Sequence, residues 1–191
     1  MHNPLSPEIR QQLYAAQKSF THKQERDLIG VLRGADEPTR LLCELLYLTG
    51  CRLSEALALR LNCVDTDENL VVFHTLKQRR QRLRAVPVPA KFLRRLVSLP
   101  TARDGRFWPY SRWTARRRVQ ALLMQADIPE RIANSKTFRH SYNDRGRLHG
   151  TPDHVRRALL GHRTQSANNH YGALIGIELR DHARHAWGVL K

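Results

Sequence analysis

The stretch Leu41-Leu42-Cys43-Glu44-Leu45-Leu46-Tyr47-Leu48-Thr49-Gly50-Cys51-Arg52-Leu53-Ser54-Glu55 decides the fold. Leucines at 41, 42, 45, 46 and 48 recur at helical spacing, so a helix entered near Pro38 buries one stripe and stops at Gly50. Arg52 follows two positions after that glycine. Ser54 is placed to cap a further short helix, with Leu57, Leu59 and Leu61 as its core residues. Arg52 has two readings: a group that satisfies a carbonyl at the end of the preceding helix, or an anion-binding side chain. Glu55 has a plain role in either case, as the ion-pair partner of Arg52 or of another base.

Working outward, Thr21-His22-Lys23-Gln24 is a capping box before a helix that carries Leu28, Ile29, Val31 and Leu32 and ends at Gly34. Residues 1–20 read as a polar arm or loose helix. Downstream, residues 65–69 have turn composition. Leu70-Val71-Val72-Phe73 and Ala85-Val86-Pro87-Val88 read as two short strands of a small antiparallel sheet. Between them, Lys77 to Arg84 is dense in arginine (Arg79, Arg80, Arg82, Arg84) and reads as a hairpin tip able to touch DNA. Helices are expected over 90–99, over 114–126, and from Lys136 to near Gly150. Thr151-Pro152-Asp153 opens another, closed by Gly161. The expected class is mainly α with one small antiparallel sheet.

Charge narrows the function. The 191 residues hold 33 Lys and Arg against 17 Asp and Glu, a formal +16. Such an excess favours a polyanion, because neutralising phosphates releases condensed counterions. Nucleic acid is the expected partner. The basic residues are mostly arginine, which grips phosphate with a planar fork that lysine lacks. The odd count of cysteines (Cys43, Cys51, Cys63) has no CxxC spacing, which argues against a disulfide framework and for a reducing cytosol. Met1-His2-Asn3-Pro4 is no signal peptide, and no apolar run reaches membrane-span length.

The polar motifs form a chemically coherent set: Arg52, Lys77, Lys136-Thr137-Phe138-Arg139-His140-Ser141, Leu160-Gly161-His162 and Tyr171. They supply a hydroxyl nucleophile, forked cations and a proton donor. A tyrosine that attacks phosphorus keeps the broken strand as an ester, so that it can be resealed. Arginines stabilise the extra charge of the pentavalent transition state, and a lysine of depressed pKa can protonate the departing 5′ oxygen.

With these residues in view, the chain resembles the tyrosine recombinase (phage integrase) family over residues 21–190. Thr49-Gly50-Cys51-Arg52-Leu53-Ser54-Glu55 is similar to its first arginine motif. Lys77 is similar to its hairpin lysine, Lys136 to His140 to its second motif, and Leu160-Gly161-His162 with Tyr171 to its third. The resemblance implies that Arg52, Arg139 and His162 bind the scissile phosphate, that Lys77 is the general acid and that Tyr171 is the nucleophile. Lys136 stands where the family most often has histidine. Glu55 and His140 support, with His140 packed behind Arg139. No metal or cofactor is implied, since the histidines of the last third have no accompanying Cys or acid cluster.

The resemblance further implies double-stranded DNA with inverted-repeat sites as substrate, and a homodimer that assembles into a homotetramer. It leaves room for an accessory DNA-bending protein and implies a cytoplasmic, nucleoid-associated setting without a membrane. Where most of the family carry a separate core-binding domain, this sequence has only the 1–20 arm. It is therefore similar to the short recombinases of fimbrial switches, with residues 21–191 as the catalytic domain. The tail from about 172 to 191, with Ile177, Leu179 and Trp187, is expected to dock on a neighbouring subunit. Arg116, Arg117, Arg118, Arg156 and Arg157 are expected on the DNA backbone, and Trp108 and Trp113 as core or hinge aromatics. Two rivals keep parts of this picture: a type IB topoisomerase, and a non-catalytic DNA-binding regulator of the same fold.

Overall fold

Residues 6–77, 80–161 and 179–190 are described by the computed structural model. The N-terminal arm contains a helix, α1 (Pro7–Ala16). The capping box at Thr21 forms as the sequence requires and starts α2 (His22–Arg33), with Gly34 as its C-cap. Asp36 caps α3 (Glu37–Thr49) by accepting from the Thr39 amide. Every residue from 41 to 51 is buried, so α3 is the central helix rather than a surface helix with one apolar stripe. Its one buried acid in that run, Glu44, accepts from Arg40 Nε at 2.8 Å and from Arg95 Nη1 at 2.7 Å, which offsets its desolvation.

Gly50 ends α3 in the left-handed conformation (φ 58°), and α4 (Leu53–Leu57) begins two residues later. The cap of α4 is not Ser54. Arg52 occupies the cap position, and the Glu55 carboxylate reaches back to accept from the Arg52 amide at 2.8 Å. Of the three leucines expected in the core here, Leu57 and Leu59 are buried, but Leu61, in a 3-10 turn, is 48% exposed.

A three-stranded antiparallel sheet follows: β1 (Val64–Asp65), β2 (Leu70–Lys77) and β3 (Arg80–Pro87), in that spatial order. The strands run further than their apolar cores. Pairing continues to Lys77↔Arg80, so most of the arginine-dense segment is strand and not tip. Val71 pairs with Val86 and Phe73 with Arg84 on the buried face.

The chain continues through α5 (Ala90–Val97), α6 (Arg112–Gln125), α7 (Ser135–Leu148) and α8 (Asp153–Leu160) to α9 (Arg180–Ala186). Pro152, not Thr151, takes the cap position of α8. Trp108 is fully buried and donates from Nε1 to the Pro38 carbonyl at 2.7 Å, whereas Trp113 is 65% exposed under the Arg117 guanidinium. Among the described residues no helix is long and apolar enough to cross a membrane.

α7 lies against α3, α8 and α9. Its buried Arg145 donates to Glu25 Oε1 (2.6 Å), the Tyr47 carbonyl (2.7 Å) and the Ala186 carbonyl (2.7 Å), and its guanidinium lies over the Tyr47 ring. The described part of the tail therefore docks on its own chain: Leu179, Ala183, Ala186 and Trp187 are buried there. Ile177 lies outside the described residues.

Gly50 is a tight joint of this frame. A Cβ there would meet Leu160 Cδ2 at 2.8 Å and Tyr142 Cγ at 2.9 Å. Gly50→Ala adds a left-handed penalty of about 1–2 kcal/mol to an overpacking cost of about 1–3 kcal/mol. Thermal unfolding followed by circular dichroism should show Tm lowered by roughly 5–15 °C; an unchanged Tm would mean that α3, α7 and α8 do not meet at this residue.

Candidate active site

The site forms where the ends of α3 and α8 meet α4, α7 and the β2–β3 hairpin. Arg52 enters from the cap of α4 and Arg139 from the second turn of α7. Both are side chains whose desolvation must be matched by acceptors. Arg139 finds them at two helix C-termini, donating from Nη1 to the Gly50 carbonyl at 2.8 Å and from Nη2 to the Leu160 carbonyl at 2.6 Å. Helix C-termini leave carbonyls without intrahelical partners and carry partial negative charge, so a cation fits there. Arg52 Nη1 donates to Glu55 Oε1 at 3.0 Å, and its side chain remains 43% exposed, open to an incoming anion.

Arg84, expected on the DNA backbone, is instead turned inward, with its side chain 8% exposed. Nη2 donates to Glu55 Oε2 at 2.8 Å and Nη1 to the Leu159 carbonyl, and the guanidinium lies 4.9 Å from the Phe73 ring centroid. The site thus gathers Arg52, Arg84 and Arg139 around the Glu55 carboxylate. Burial would push the Glu55 carboxyl up, but Arg84 and then Arg52 hold it below its ordinary value. Burial, then repulsion from Arg52 and Arg84, lowers Arg139 to about 10. Beside them, burial pushes the Cys51 thiol up to about 12, so it stays neutral.

The remaining expected residues separate clearly. Lys136 lies in the first turn of α7, one turn before Arg139, with an exposed side chain. His140 does not pack behind Arg139: Phe138, Ser141 and Tyr142 take the buried face, and His140 is left exposed. Lys77 ends β2 at the last rung of the hairpin, and Arg80 and Arg82 are in β3. Arg79, His162 and Tyr171 lie outside the described residues; Gly161, immediately before His162, ends α8 at φ 65°.

The helix arginines also divide. Arg116 and Arg117 are exposed, but Arg118 turns back to Asp36 (3.3 Å) and Thr39 Oγ1 (3.0 Å). Arg156 is held by the Thr151 carbonyl, Asn143 and Asp153, while Arg157 is more open and pairs with Asp153 at 2.5 Å. The sequence reading placed Arg84 with the DNA-contacting arginines and missed its inward position beside Glu55. Its alternation with Val86 and Val88 carried the signal, since alternate strand residues share a face.

A family model described as the phage integrase family matches residues 18–175. Among curated proteins, no sequence matches this chain. Solved structures do resemble it. A XerH site-specific recombinase bound to its difH substrate in a pre-cleavage complex has a TM-score of 0.68 at 16% identity, covering 78% of this chain and 48% of that one. XerA recombinase has 0.65 at 19% identity (85% and 62%), and the integrase of mycobacterium phage Brujita 0.64 at 12% (84% and 55%). This chain therefore spans about half to three-fifths of the length of those proteins, and the likeness is one of fold.

The lowered Arg139 value sets a test of the site as an anion receptor. Above about pH 10 the folded protein releases this proton while the unfolded chain keeps it, so the group's contribution to stability rises with pH there. At neutral pH the held charge opposes folding, and an anion bound between Arg52 and Arg139 would relieve it. Sulfate at the ionic strength of a chloride control should raise the wild-type Tm by more than that of Arg139→Gln, the variant reporting sulfate's general effect. Equal shifts in both proteins would remove the anion site.

Proposed function

The chain belongs to the phage integrase family, and on that premise we propose that it is a site-specific DNA recombinase acting through a 3′-phosphotyrosine formed by Tyr171. The observation that carries this reading is the meeting of Arg52 and Arg139, from motifs far apart in sequence, over one carboxylate and two helix ends. Forked donors fixed before the substrate arrives need no reorganisation when charge develops on the non-bridging oxygens.

In the proposed reaction the Tyr171 hydroxyl oxygen bonds to phosphorus as its proton is lost, and the bond from phosphorus to the 5′ oxygen breaks. Lys77 gives its proton to that departing oxygen. Arg52, Arg139 and His162 hold the phosphate, with Lys136 as a further donor to an oxygen of the same group. The reverse attack by a 5′ hydroxyl reseals a strand and frees the tyrosine. Exchange between sites calls for a dimer on each inverted repeat and a tetramer at synapsis. The exposed Arg116 and Arg117 of α6 are proposed to grip the DNA backbone.

Two measurements test the proposal. With labelled DNA spanning the regions that flank its own gene, nicked near candidate inverted repeats, wild-type protein should yield an SDS-resistant adduct. Tyr171→Phe should bind and yield none, and Arg139→Ala should slow adduct formation by roughly 10²–10³-fold. An adduct from Tyr171→Phe would sink the proposal, and specific binding by wild type without any adduct would point to a DNA-binding regulator. Separately, the Arg116→Gln, Arg117→Gln double variant should weaken binding evenly across sequences. It should also flatten the slope of log K against log salt by about 2, roughly one for each phosphate no longer neutralised. An unchanged slope would place the DNA on another face.

A further inference from the structure

A buried guanidinium is expensive to desolvate and persists only where its donors are used. Arg84 uses Nη1 and Nη2 on groups that each lead to a different site arginine, while its buried Nε has no hydrogen-bond partner among the described residues. Nη2 donates to Glu55 Oε2, and Glu55 in turn holds Arg52 by its amide (2.8 Å) and its guanidinium (3.0 Å). Nη1 donates to the Leu159 carbonyl, next along the chain to the Leu160 carbonyl that Arg139 holds. Gly161 lets the turn after α8 lie against the Arg84 stem, since a Cβ there would stand 3.3 Å from Nε. Phe73, across the ladder, fixes the other face of the guanidinium. The side chain itself is too enclosed to meet DNA.

We propose that Arg84 is a positioning residue: through Glu55 it sets Arg52, and through the Leu159 carbonyl it sets the 159–161 turn, tying strand β3 to the phosphate-binding pair. The inference rests on the reading of Arg52 and Arg139 as phosphate-binding groups. It needs a planar fork, because the two acceptors are reached by different nitrogens of one guanidinium. A lysine, with a single nitrogen on a flexible stem, keeps the charge but loses the simultaneous grip.

The experiment uses the full chain with labelled arginine side chains, as wild type, Arg84→Lys, Glu55→Gln and the exposed control Arg103→Gln. The Nε–Hε signals of Arg52 and Arg139 are followed at neutral pH as inorganic phosphate is added. In wild type both signals should move. In Arg84→Lys, shown to be folded by circular dichroism, the Arg52 signal should start displaced toward that of an exposed arginine. Phosphate affinity should fall about tenfold, the scale of one missing charge-assisted hydrogen bond, while Arg103→Gln stays within twofold of wild type.

Wild-type Arg52 and Arg139 signals in folded Arg84→Lys, with affinity within twofold, would overturn the proposal even if Tm had dropped, since that is what a purely structural arginine predicts. Should Arg84→Lys fail to fold, Glu55→Gln severs the same link from its other end, and an undisplaced Arg52 signal there overturns the proposal equally. A wild type that answers phosphate through Arg52, in a manner dependent on Arg84, yet never forms a DNA adduct would count against the recombinase reading and for this one. A wild type whose Arg52 and Arg139 signals ignore phosphate overturns both.

Discussion

The site depends on the buried Glu55 carboxylate, which stands among guanidinium groups that would otherwise repel one another. Two unit charges about 4 Å apart interact by about 4 kcal/mol at an effective dielectric near 20, so like charges gathered without a counter-charge would strain any fold of ordinary stability. Glu55 accepts from Arg52 and Arg84 together and draws both onto one anion. One carboxylate cannot neutralise three cations. The surplus falls on Arg139, whose lowered pKa reflects burial and then its two neighbours. A group with unmet positive charge, held rigid and partly open, is what a phosphodiester gaining charge in its transition state requires.

Rigidity comes from backbone carbonyls rather than from more acids. Arg139 spans the C-terminal ends of α3 and α8, and Arg84 takes the carbonyl just before the one Arg139 takes on α8. Carbonyls carry partial charge only, so they orient a guanidinium without cancelling it. Had carboxylates done this work, the site would be anchored equally well and nearly neutral. The left-handed glycines at 50 and 161 belong to the same economy of space: each ends its helix sharply enough to aim the last carbonyls at an arginine.

Much of this was legible before any coordinates, and the exceptions have particular physical causes. The Thr21 box, the Gly50 and Gly161 stops and the leucines of α3 are local signals, decided within a few residues, and they stand as expected. So does the Arg52–Glu55 pair, three residues apart. The cap position of α4 went to Arg52 and not Ser54, because the Glu55 carboxylate at the third helical position reaches back to the Arg52 amide. Composition misplaced Arg84: a run of arginines reads as solvent-exposed, while strand alternation with Val86 puts this one inside. Arg156 is likewise drawn in, since its acceptors Thr151 and Asn143 lie on other turns, while Arg118 stays 43% exposed although it reaches Asp36 and Thr39. The docking of α9 on α7 rests on contacts distant in sequence that no local pattern names.

That docking bears on the site through α7. This helix carries Arg139 near its start and Arg145 further on, and each donates to carbonyls at or near the end of α3: Gly50 for one, Tyr47 for the other. The azimuth and the axial position of α7 on α3 are therefore both fixed, since rotating the helix to relax one arginine would break the other. Arg145 also takes Glu25 and the Ala186 carbonyl, which brings α2 and α9 into the same constraint. Breaking a buried, fully bonded arginine pair by removing one partner commonly costs about 3–5 kcal/mol, several times a surface ion pair. The arginine proposed to face the phosphate is thus aligned by a second, buried arginine, and the precision of the open site is borrowed from the closed one behind it.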